Sequence, residues 1–105
     1  MGTAACSAAI FDTKPYDRLH LPAAAGSDIH LRFLTFRLSA ETAVAAAGDR
    51  AVCVFVNDVV DRDCLTQLSA QGTELVALRC TGFNNVDLSA ARDLGITVTR
   101  VPVYS

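Results

Sequence analysis

Ala51-Val-Cys-Val-Phe-Val56 is an uninterrupted apolar run rich in β-branched residues. Such a run, with no polar residue on either face, is typical of a central parallel strand that helices cover on both sides. Asp61 follows it as an N-cap, because a carboxylate accepts hydrogen bonds from the free N–H groups of a first helical turn. Gly72 has the conformational freedom to end that helix. The inward face of the helix is predicted to carry Cys64, Leu65 and Leu68.

Four other segments have the length and composition of strands. Residues 29–36 alternate apolar and polar side chains, so one face is wet and the strand belongs at an edge of the sheet. Residues 96–101 alternate β-branched apolar residues with threonines. The five predicted strands span residues 8–11, 29–36, 51–56, 75–78 and 96–101.

Helical segments separate these strands. A first helical turn is predicted from Pro15, whose ring fixes the backbone angle that a helix start needs. Ser39 is the predicted N-cap of an alanine-rich helix that ends at Gly48. Asp87 caps a further helix, which runs to Leu94.

Strands and helices in alternation predict an open α/β sheet, and right-handed crossovers favour a flavodoxin-like winding. The expected fold is therefore an open parallel five-stranded sheet with helices on both faces. Because Pro102 closes the fifth strand and no helix follows it, we expect the domain to be incomplete at its C-terminus. Apolar surface left uncovered there predicts self-association.

The composition excludes several classes of protein. The chain has 105 residues, 51% hydrophobic and 19% charged, with a formal net charge of -2, which is typical of one folded domain. Nine basic against eleven acidic residues leave no basic excess for a nucleic-acid partner. No apolar stretch approaches the ~20 residues of a membrane span. Residues 1–10 lack the Lys or Arg of a secretory leader, so we expect a cytoplasmic protein.

Familiar catalytic and cofactor motifs do not occur in the sequence. The four cysteines form no C-x-x-C pair, so we expect reduced thiols and no metal site. The six glycines are isolated, so there is neither a dinucleotide fingerprint nor a phosphate loop. His20 and His30 have no acidic partner at a useful spacing, so neither is a convincing catalytic base.

Ligands of open α/β sheets bind at the carboxyl ends of the strands, near the point where the winding reverses. The corresponding positions here are residues 12–14, 55–58 and 79–86, together with Tyr104. In the 79–86 loop, Gly82 lies between a strand and a capped helix, where backbone N–H groups can approach an anion. The alternative is that a glycine is needed there only to turn the chain.

Three further side chains at this edge each have two interpretations. Arg79 can hold a carboxylate through two hydrogen bonds, or it can pair structurally with Asp58 or Asp87. Phe55 and Tyr104 can line a pocket, or they can be aromatic residues that cover the sheet.

Several strings of residues resemble one known family in its own order. They are Leu78-Arg-Cys-Thr-Gly-Phe-Asn-Asn-Val-Asp-Leu88, Ala90-Ala-Arg-Asp-Leu-Gly-Ile96 and Val101-Pro-Val-Tyr-Ser105, with Asp12-Thr-Lys-Pro-Tyr-Asp-Arg18 and residues 51–58 upstream. On these strings the chain closely resembles the D-isomer-specific 2-hydroxyacid dehydrogenases, and most closely the NAD-dependent members that act on D-lactate.

The resemblance implies a role for the chain and for four of its residues. Residues 1–105 would be the N-terminal part of the substrate-binding, or catalytic, domain, and the NAD-binding Rossmann domain would be absent from the chain. Thr81 and Gly82 would offer backbone N–H groups to the carboxylate of a small 2-hydroxy or 2-keto acid. Phe55 and Tyr104 would line the pocket.

The resemblance also implies what the chain lacks. The family's catalytic His, its Glu partner and its substrate-orienting Arg would all lie beyond residue 105, so the chain would contain no catalytic and no cofactor-binding residue. NAD would serve the longer parent enzyme, and the 105-residue piece alone would be inactive. The alternative is a stand-alone, non-catalytic binding or interaction module derived from the same domain.

Overall fold

The computed structural model describes residues 6–15, 18, 29–55, 58–79 and 85–100. Among these described residues, two complete α-helices and one 3₁₀ helix lie between the strands. The strands are β1 (Cys6–Ile10), β2 (Ile29–Phe33), β3 (Ala51–Val54), β4 (Leu75–Leu78) and β5 (Thr97–Arg100). The helices are a 3₁₀ helix (Ala43–Ala46), α1 (Arg62–Ala70) and α2 (Leu88–Asp93).

The strands form one five-stranded parallel sheet in the order β2-β1-β3-β4-β5. Ala8 of β1 pairs with Leu31 on one side and with Ala51 on the other, so β1 is an interior strand. β3 is interior too, because it pairs with β1 and with β4. This order confirms the predicted flavodoxin-like sheet and the edge position of β2. The winding reverses between β1 and β3, which makes that pair the switch point of the sheet.

The larger core lies on one face of the sheet, under the helices. Val52 and Val76 of the sheet belong to the same hydrophobic cluster as Leu65 and Leu68, two fully buried leucines of α1. Each such side chain contributes about 1.5–3 kcal/mol when it is removed from water. A smaller cluster of Ala8, Ile10 and Cys53 lies on the opposite face.

The helix predicted from Pro15 lies mostly outside the described residues. Arg18, which is described, places its guanidinium 5.1 Å from the centre of the Phe33 ring, and Phe33 packs against the smaller cluster.

The two α-helices begin and end at the residues that the sequence indicates. The Asp61 carboxylate accepts from the N–H of Cys64 at 3.0 Å, and Gly72 follows α1 with φ +99°. The Asp87 carboxylate accepts from the N–H of Ala90 at 3.0 Å at the start of α2. These caps satisfy helical N–H groups that have no partner within the helix.

The alanine-rich segment differs from the prediction. Ser39 does not cap an α-helix, because the segment forms only the 3₁₀ helix, which Thr42 precedes without a side-chain cap. The Thr42 hydroxyl instead accepts from the N–H of Ser39 at 2.8 Å and donates to the carbonyl of Arg37 at 2.7 Å. Ala43 and Ala46 are both fully buried, and a 3₁₀ helix brings residues three apart onto one face. Gly48 ends the segment with φ +91°, as predicted.

Three strands end before the residues predicted. β2 ends at Phe33 rather than at residue 36. β1 and β3 are also shorter at their carboxyl ends, and they share a reason. Beyond β1, Asp12 has φ +49° and turns the backbone, so that its N–H donates to the carbonyl of Phe36 at 2.8 Å outside the ladder. Beyond β3, the N–H of Phe55 donates to a side chain of its own loop at 2.6 Å. Polar contacts at this edge replace strand pairing.

The buried thiols agree with the interpretation of cysteine as a small hydrophobic residue. Cys53 and Cys64 are both buried in the hydrophobic clusters of the sheet. Burial raises the pKa of the Cys64 thiol to about 12, with a further contribution from the charges of Asp61 and Asp58. The thiolate, the reactive form, is therefore scarce at neutral pH.

Neither a membrane-spanning helix nor a metal-binding group occurs in the part of the chain that the structure describes. None of its helices is long and apolar enough to cross a bilayer. Within the same residues, no three His, Cys, Asp or Glu side chains are grouped so that they could hold a metal ion.

Candidate functional site at the carboxyl edge of the sheet

Polar and aromatic residues converge where β1, β3 and β4 end. Asp12 follows β1, Phe55 follows β3 and Arg79 follows β4, and these strands are neighbours in the sheet. The first two lie at the switch point, which in open α/β sheets is the usual place for a ligand. We call Asp12, Phe55, Asp58, Arg79 and Asn85 the edge cluster.

The backbone of Phe55 is held by hydrogen bonds on both sides. Its N–H donates to Oδ2 of Asp58 at 2.6 Å. Its carbonyl accepts from the N–H of Asp58 at 3.1 Å and from Nδ2 of Asn85 at 3.0 Å. The ring lies beneath the guanidinium of Arg79, 5.3 Å from the ring centre. Phe55 therefore has a fixed backbone and a ring with a defined neighbour.

Asp58 is fully buried and binds backbone N–H groups from two segments of the chain. Oδ1 accepts from Leu38 and Oδ2 accepts from Phe55, each at 2.6 Å. Burial raises the pKa of the Asp58 carboxyl, and the charge of Asp12 adds to that, whereas the two N–H groups and Arg79 act in the opposite direction. The carboxylate thus joins the segment after β2 to the segment after β3.

Arg79 extends from the end of β4 to the end of β1. Its Nη2 donates to the carbonyl of Phe11, and the carbonyl of Asp12 lies 3.4 Å away. Asp58 and Asp87 are the two aspartates considered as structural partners of Arg79. The charge of Arg79 acts on Asp58, while the hydrogen bonds described for Arg79 go to these backbone carbonyls. The Asp87 carboxylate caps α2 instead. The guanidinium is buried, so these contacts replace water around a permanent charge.

Asp12 combines a costly backbone conformation with an incompletely bonded carboxylate. It is the only residue other than glycine with a positive φ among those described. Its Oδ1 accepts from Nζ of Lys14 at 3.0 Å, but its buried Oδ2 has no hydrogen-bond partner. Such costs, of order 1–3 kcal/mol for the backbone, persist where the surrounding structure enforces them and cluster at functional sites.

Asn85 is a site residue that sequence reasoning did not single out. Its Nδ2 donates to the carbonyls of both Phe55 and Asp58, the latter at 3.1 Å, and its own carbonyl accepts from the N–H of Val60 at 2.9 Å. It therefore ties the loop after β3 to the loop after β4. A signal was present in the sequence, since an asparagine two residues before a helix cap commonly bonds to nearby backbone.

The predicted site residues divide into one that is described and three that are not. Phe55 lies in the edge cluster, half-buried against Arg79. Thr81, Gly82 and Tyr104 lie outside the described residues, and their roles stay predictions.

An open cavity of about 360 Å³ lies next to the edge cluster, where both α-helices begin. It is lined by Val59, Val60, Asp61, Asn85, Val86 and Asp87. Both aspartates already cap helices, so the polar groups of this cavity are engaged within the protein.

The doubly wound parallel sheet places this chain among the open α/β proteins, a class whose ligands bind at the carboxyl edge of the sheet, where the edge cluster lies. The family model described as D-isomer specific 2-hydroxyacid dehydrogenase, catalytic domain, matches residues 8–105. The chain belongs to the D-isomer-specific 2-hydroxyacid dehydrogenase family, as the sequence strings predict.

Known relatives agree with this assignment. D-lactate dehydrogenase from Escherichia coli is 47% identical over 97 residues, which is 91% of this chain and 30% of the relative. The apo structure of D-lactate dehydrogenase from Escherichia coli superimposes with a TM-score of 0.87 at 45% identity, over 94% of this chain and 32% of that one.

Two more distant structures share the fold. A structure reported for the identification of the pyruvate reductase of Chlamydomonas reinhardtii matches this chain with a TM-score of 0.84 at 34% identity. The match covers 97% of this chain and 30% of that one. The NAD-complexed D-isomer specific 2-hydroxyacid dehydrogenase from Lactobacillus delbrueckii has a TM-score of 0.81 at 25% identity, over 94% of this chain and 30% of that one. The chain thus spans about 30% of the length of these relatives.

Proposed function

We propose that residues 1–105 form the N-terminal part of the substrate-binding domain of an NAD-dependent D-2-hydroxyacid dehydrogenase that interconverts D-lactate and pyruvate. The observation that carries this proposal is the edge cluster, in which Phe55 is fixed at the switch point of a sheet that superimposes on D-lactate dehydrogenase. A fixed pocket wall lowers the entropy cost of holding a small substrate in one orientation.

Binding of the substrate is assigned to four residues. The backbone N–H groups of Thr81 and Gly82 donate to the substrate carboxylate, which satisfies its charge without a metal ion. Phe55 and Tyr104 form apolar walls beside it, and such walls select for size. The edge cluster orients Phe55.

The chain's own residues do not fit NAD. Its six glycines are isolated, so no backbone cradle for a pyrophosphate is present in the sequence. We infer that NAD is bound by another part of a longer polypeptide, which also supplies the acid–base residues. The chain alone is then expected to bind no NAD and to be inactive. Neither the described residues nor the relatives named above favour the alternative of a stand-alone interaction module.

A chimera tests the function directly. Residues 1–105 replace the matching 30% of E. coli D-lactate dehydrogenase, which supplies the rest of the enzyme. We expect NADH-dependent reduction of pyruvate to D-lactate with kcat/KM within about tenfold of the E. coli enzyme, a difference of ~1.4 kcal/mol in barrier. The controls are the E. coli portion alone and the 105-residue chain alone, both expected to be inactive.

Two outcomes would contradict the proposal. One is a chimera that matches the E. coli enzyme in circular dichroism and gel filtration yet does not reduce pyruvate. The other is reduction of pyruvate by the 105-residue chain free of any longer contaminant. The reading frame that follows Ser105 gives a separate check, since a dinucleotide fingerprint encoded there supports a longer enzyme.

A cytoplasmic location and self-association of the chain are further parts of the proposal. Support for self-association comes from exposed large apolar side chains, of which Val44 is 60% exposed and Val59 is 53% exposed. Light scattering of the concentrated chain tests it, and a uniform monomer would contradict it.

A further inference from the structure

The guanidinium of Arg79 connects two structural elements that otherwise belong to different loops. One is the carboxyl end of β1, reached through the carbonyls of Phe11 and Asp12. The other is the ring of Phe55, whose centre lies 5.3 Å from the guanidinium carbon. We infer that Arg79 is a positioning residue, which sets the orientation of the Phe55 ring against the end of β1 and so determines the shape of the substrate pocket.

This inference rests on the proposed function, and it concerns the ring of Phe55 rather than its backbone. The backbone is already held by the Asp58 carboxylate and by Nδ2 of Asn85. Those bonds leave the two side-chain torsions of Phe55 free. The guanidinium, itself held at β1, lies against one face of the ring and restricts both torsions.

The chemistry of arginine suits this role better than that of lysine. A guanidinium presents donors in its plane and a flat face above it, so one group can hydrogen-bond to carbonyls and stack on an aromatic ring. A lysine ammonium carries charge but has no flat face. Stability alone also gives little reason to bury a charge here, because an apolar side chain of similar volume is often as stable or more so.

The expected consequence is a change in substrate selection. A Phe55 ring that is free to turn no longer limits the volume beside the substrate's methyl group. Pyruvate then loses packing contacts, while a 2-oxo acid with a longer side chain gains room. Since the reacting groups lie elsewhere, the effect is expected in KM and in selectivity more than in kcat.

The experiment uses the chimera with three substitutions. For Arg79→Met we expect KM for pyruvate to rise about tenfold and kcat to change less than about threefold. The ratio of kcat/KM for pyruvate to that for 2-oxobutyrate should fall by about tenfold, the scale set by one methylene. Arg79→Lys keeps the charge without the flat face and should show the same loss of selectivity. Arg50→Lys, at an arginine that is 58% exposed near the opposite edge, is the matched control and should change neither.

A second measurement does not depend on activity. In the isotope-labelled 105-residue chain, the Arg79 Nε–H proton should be shifted upfield by the ring current of Phe55. That shift should disappear in Phe55→Leu. If Arg79→Met fails to fold, this NMR measurement and the Arg79→Lys variant still test the inference.

The outcomes separate the two proposals. An active chimera in which Arg79→Met or Arg79→Lys leaves KM and selectivity unchanged overturns the positioning role while the proposed function stands. An Arg79 proton without a Phe55-dependent shift also overturns it. A folded chimera that is inactive with Arg79 intact removes the proposed function and, with it, the role of Arg79 in substrate selection.

Discussion

A fully buried aspartate lies at each end of the strands, Asp49 at the amino edge of the sheet and Asp58 at the carboxyl edge. The two form different kinds of hydrogen bond. Asp49, at the amino edge, accepts from Oγ of Ser7 at 2.5 Å and forms an ion pair with Arg32. Asp58, at the carboxyl edge, accepts only backbone N–H groups in its described hydrogen bonds. The amino edge is therefore closed by side chains that satisfy one another, whereas the carboxyl edge uses a charge to hold its loops.

The remaining features of the carboxyl edge are costly ones. Asp12 has a positive φ and a buried oxygen that accepts no hydrogen bond, and the pKa of Asp58 is raised by burial. Natural proteins keep such features mainly where function requires them. The difference between the edges thus indicates which end of the sheet was shaped for stability and which for a ligand.

The largest expected effect is at the amino edge. Asp49→Ala leaves the Arg32 guanidinium and the Ser7 hydroxyl without their shared partner, so we expect the free energy of unfolding to fall by about 3 kcal/mol. Urea unfolding of the chain measures it, with Asp63→Ala on the exposed side of α1 as a control near zero. If Asp49→Ala lowers the free energy of unfolding no more than Asp63→Ala does, the buried contacts of the amino edge do not stabilise the fold.

A smaller loss is expected at the carboxyl edge. In Asp58→Asn, one amide oxygen can accept from only one of the two N–H groups that the carboxylate now binds, so we expect a loss of about 2 kcal/mol. Asp61→Asn is the matched control, because asparagine is as good an N-cap as aspartate. Equal urea midpoints for the two variants would contradict the bonding described here.

The pH dependence of stability follows from the raised pKa of Asp58. A folded-state pKa above 3.8 means that the folded protein holds this proton more tightly than the unfolded chain does. The stability that the protonated Asp58 carboxyl adds to the folded state is therefore fully present below pH 3.8. It is lost as the pH rises through the folded pKa. The unfolding free energy of the chain, relative to Asp58→Asn, should fall over that interval, and a difference that rises with pH would contradict this sign.

The smallest effect is expected for an exposed ion pair near the amino edge. Arg50 and Glu74 lie 3.0 Å apart, with side chains 58% and 64% exposed. Glu74→Gln should lower stability by about 0.3 kcal/mol, and less in high salt, because exposed pairs are screened by water and ions. A loss above that of Asp58→Asn would reverse the ranking of buried and exposed charges.

Most of the fold could be predicted from local patterns. The apolar run around Val54 indicates a central strand, and Asp61 and Asp87 mark the starts of both α-helices, because caps and apolar runs act over a few residues. The prediction was wrong at Ser39, where burial of Ala43 and Ala46 imposes a 3₁₀ helix. It also overextended β3, since the sequence does not show that the N–H of Phe55 bonds to Asp58.

The site was only partly predictable. Chain order and the rule for parallel sheets placed Phe55 and Arg79 at one edge, and the family strings pointed to Phe55 as a pocket residue. The stacking of Arg79 on Phe55 and the bridge made by Asn85 join positions 24 to 30 residues apart in the chain. Contacts across such separations leave no periodic trace in a sequence.

What the sequence by itself determined is the family, the five parallel strands and the residues that begin and end the α-helices. Only the tertiary structure decided which charges are buried, that Asp12 takes a positive φ, and that Arg79 donates to carbonyls at the end of β1. The physical reason is the range of the interactions. Propensity and capping act between neighbours in the chain, whereas desolvation and hydrogen bonding at a sheet edge depend on strands that only the folded chain brings together.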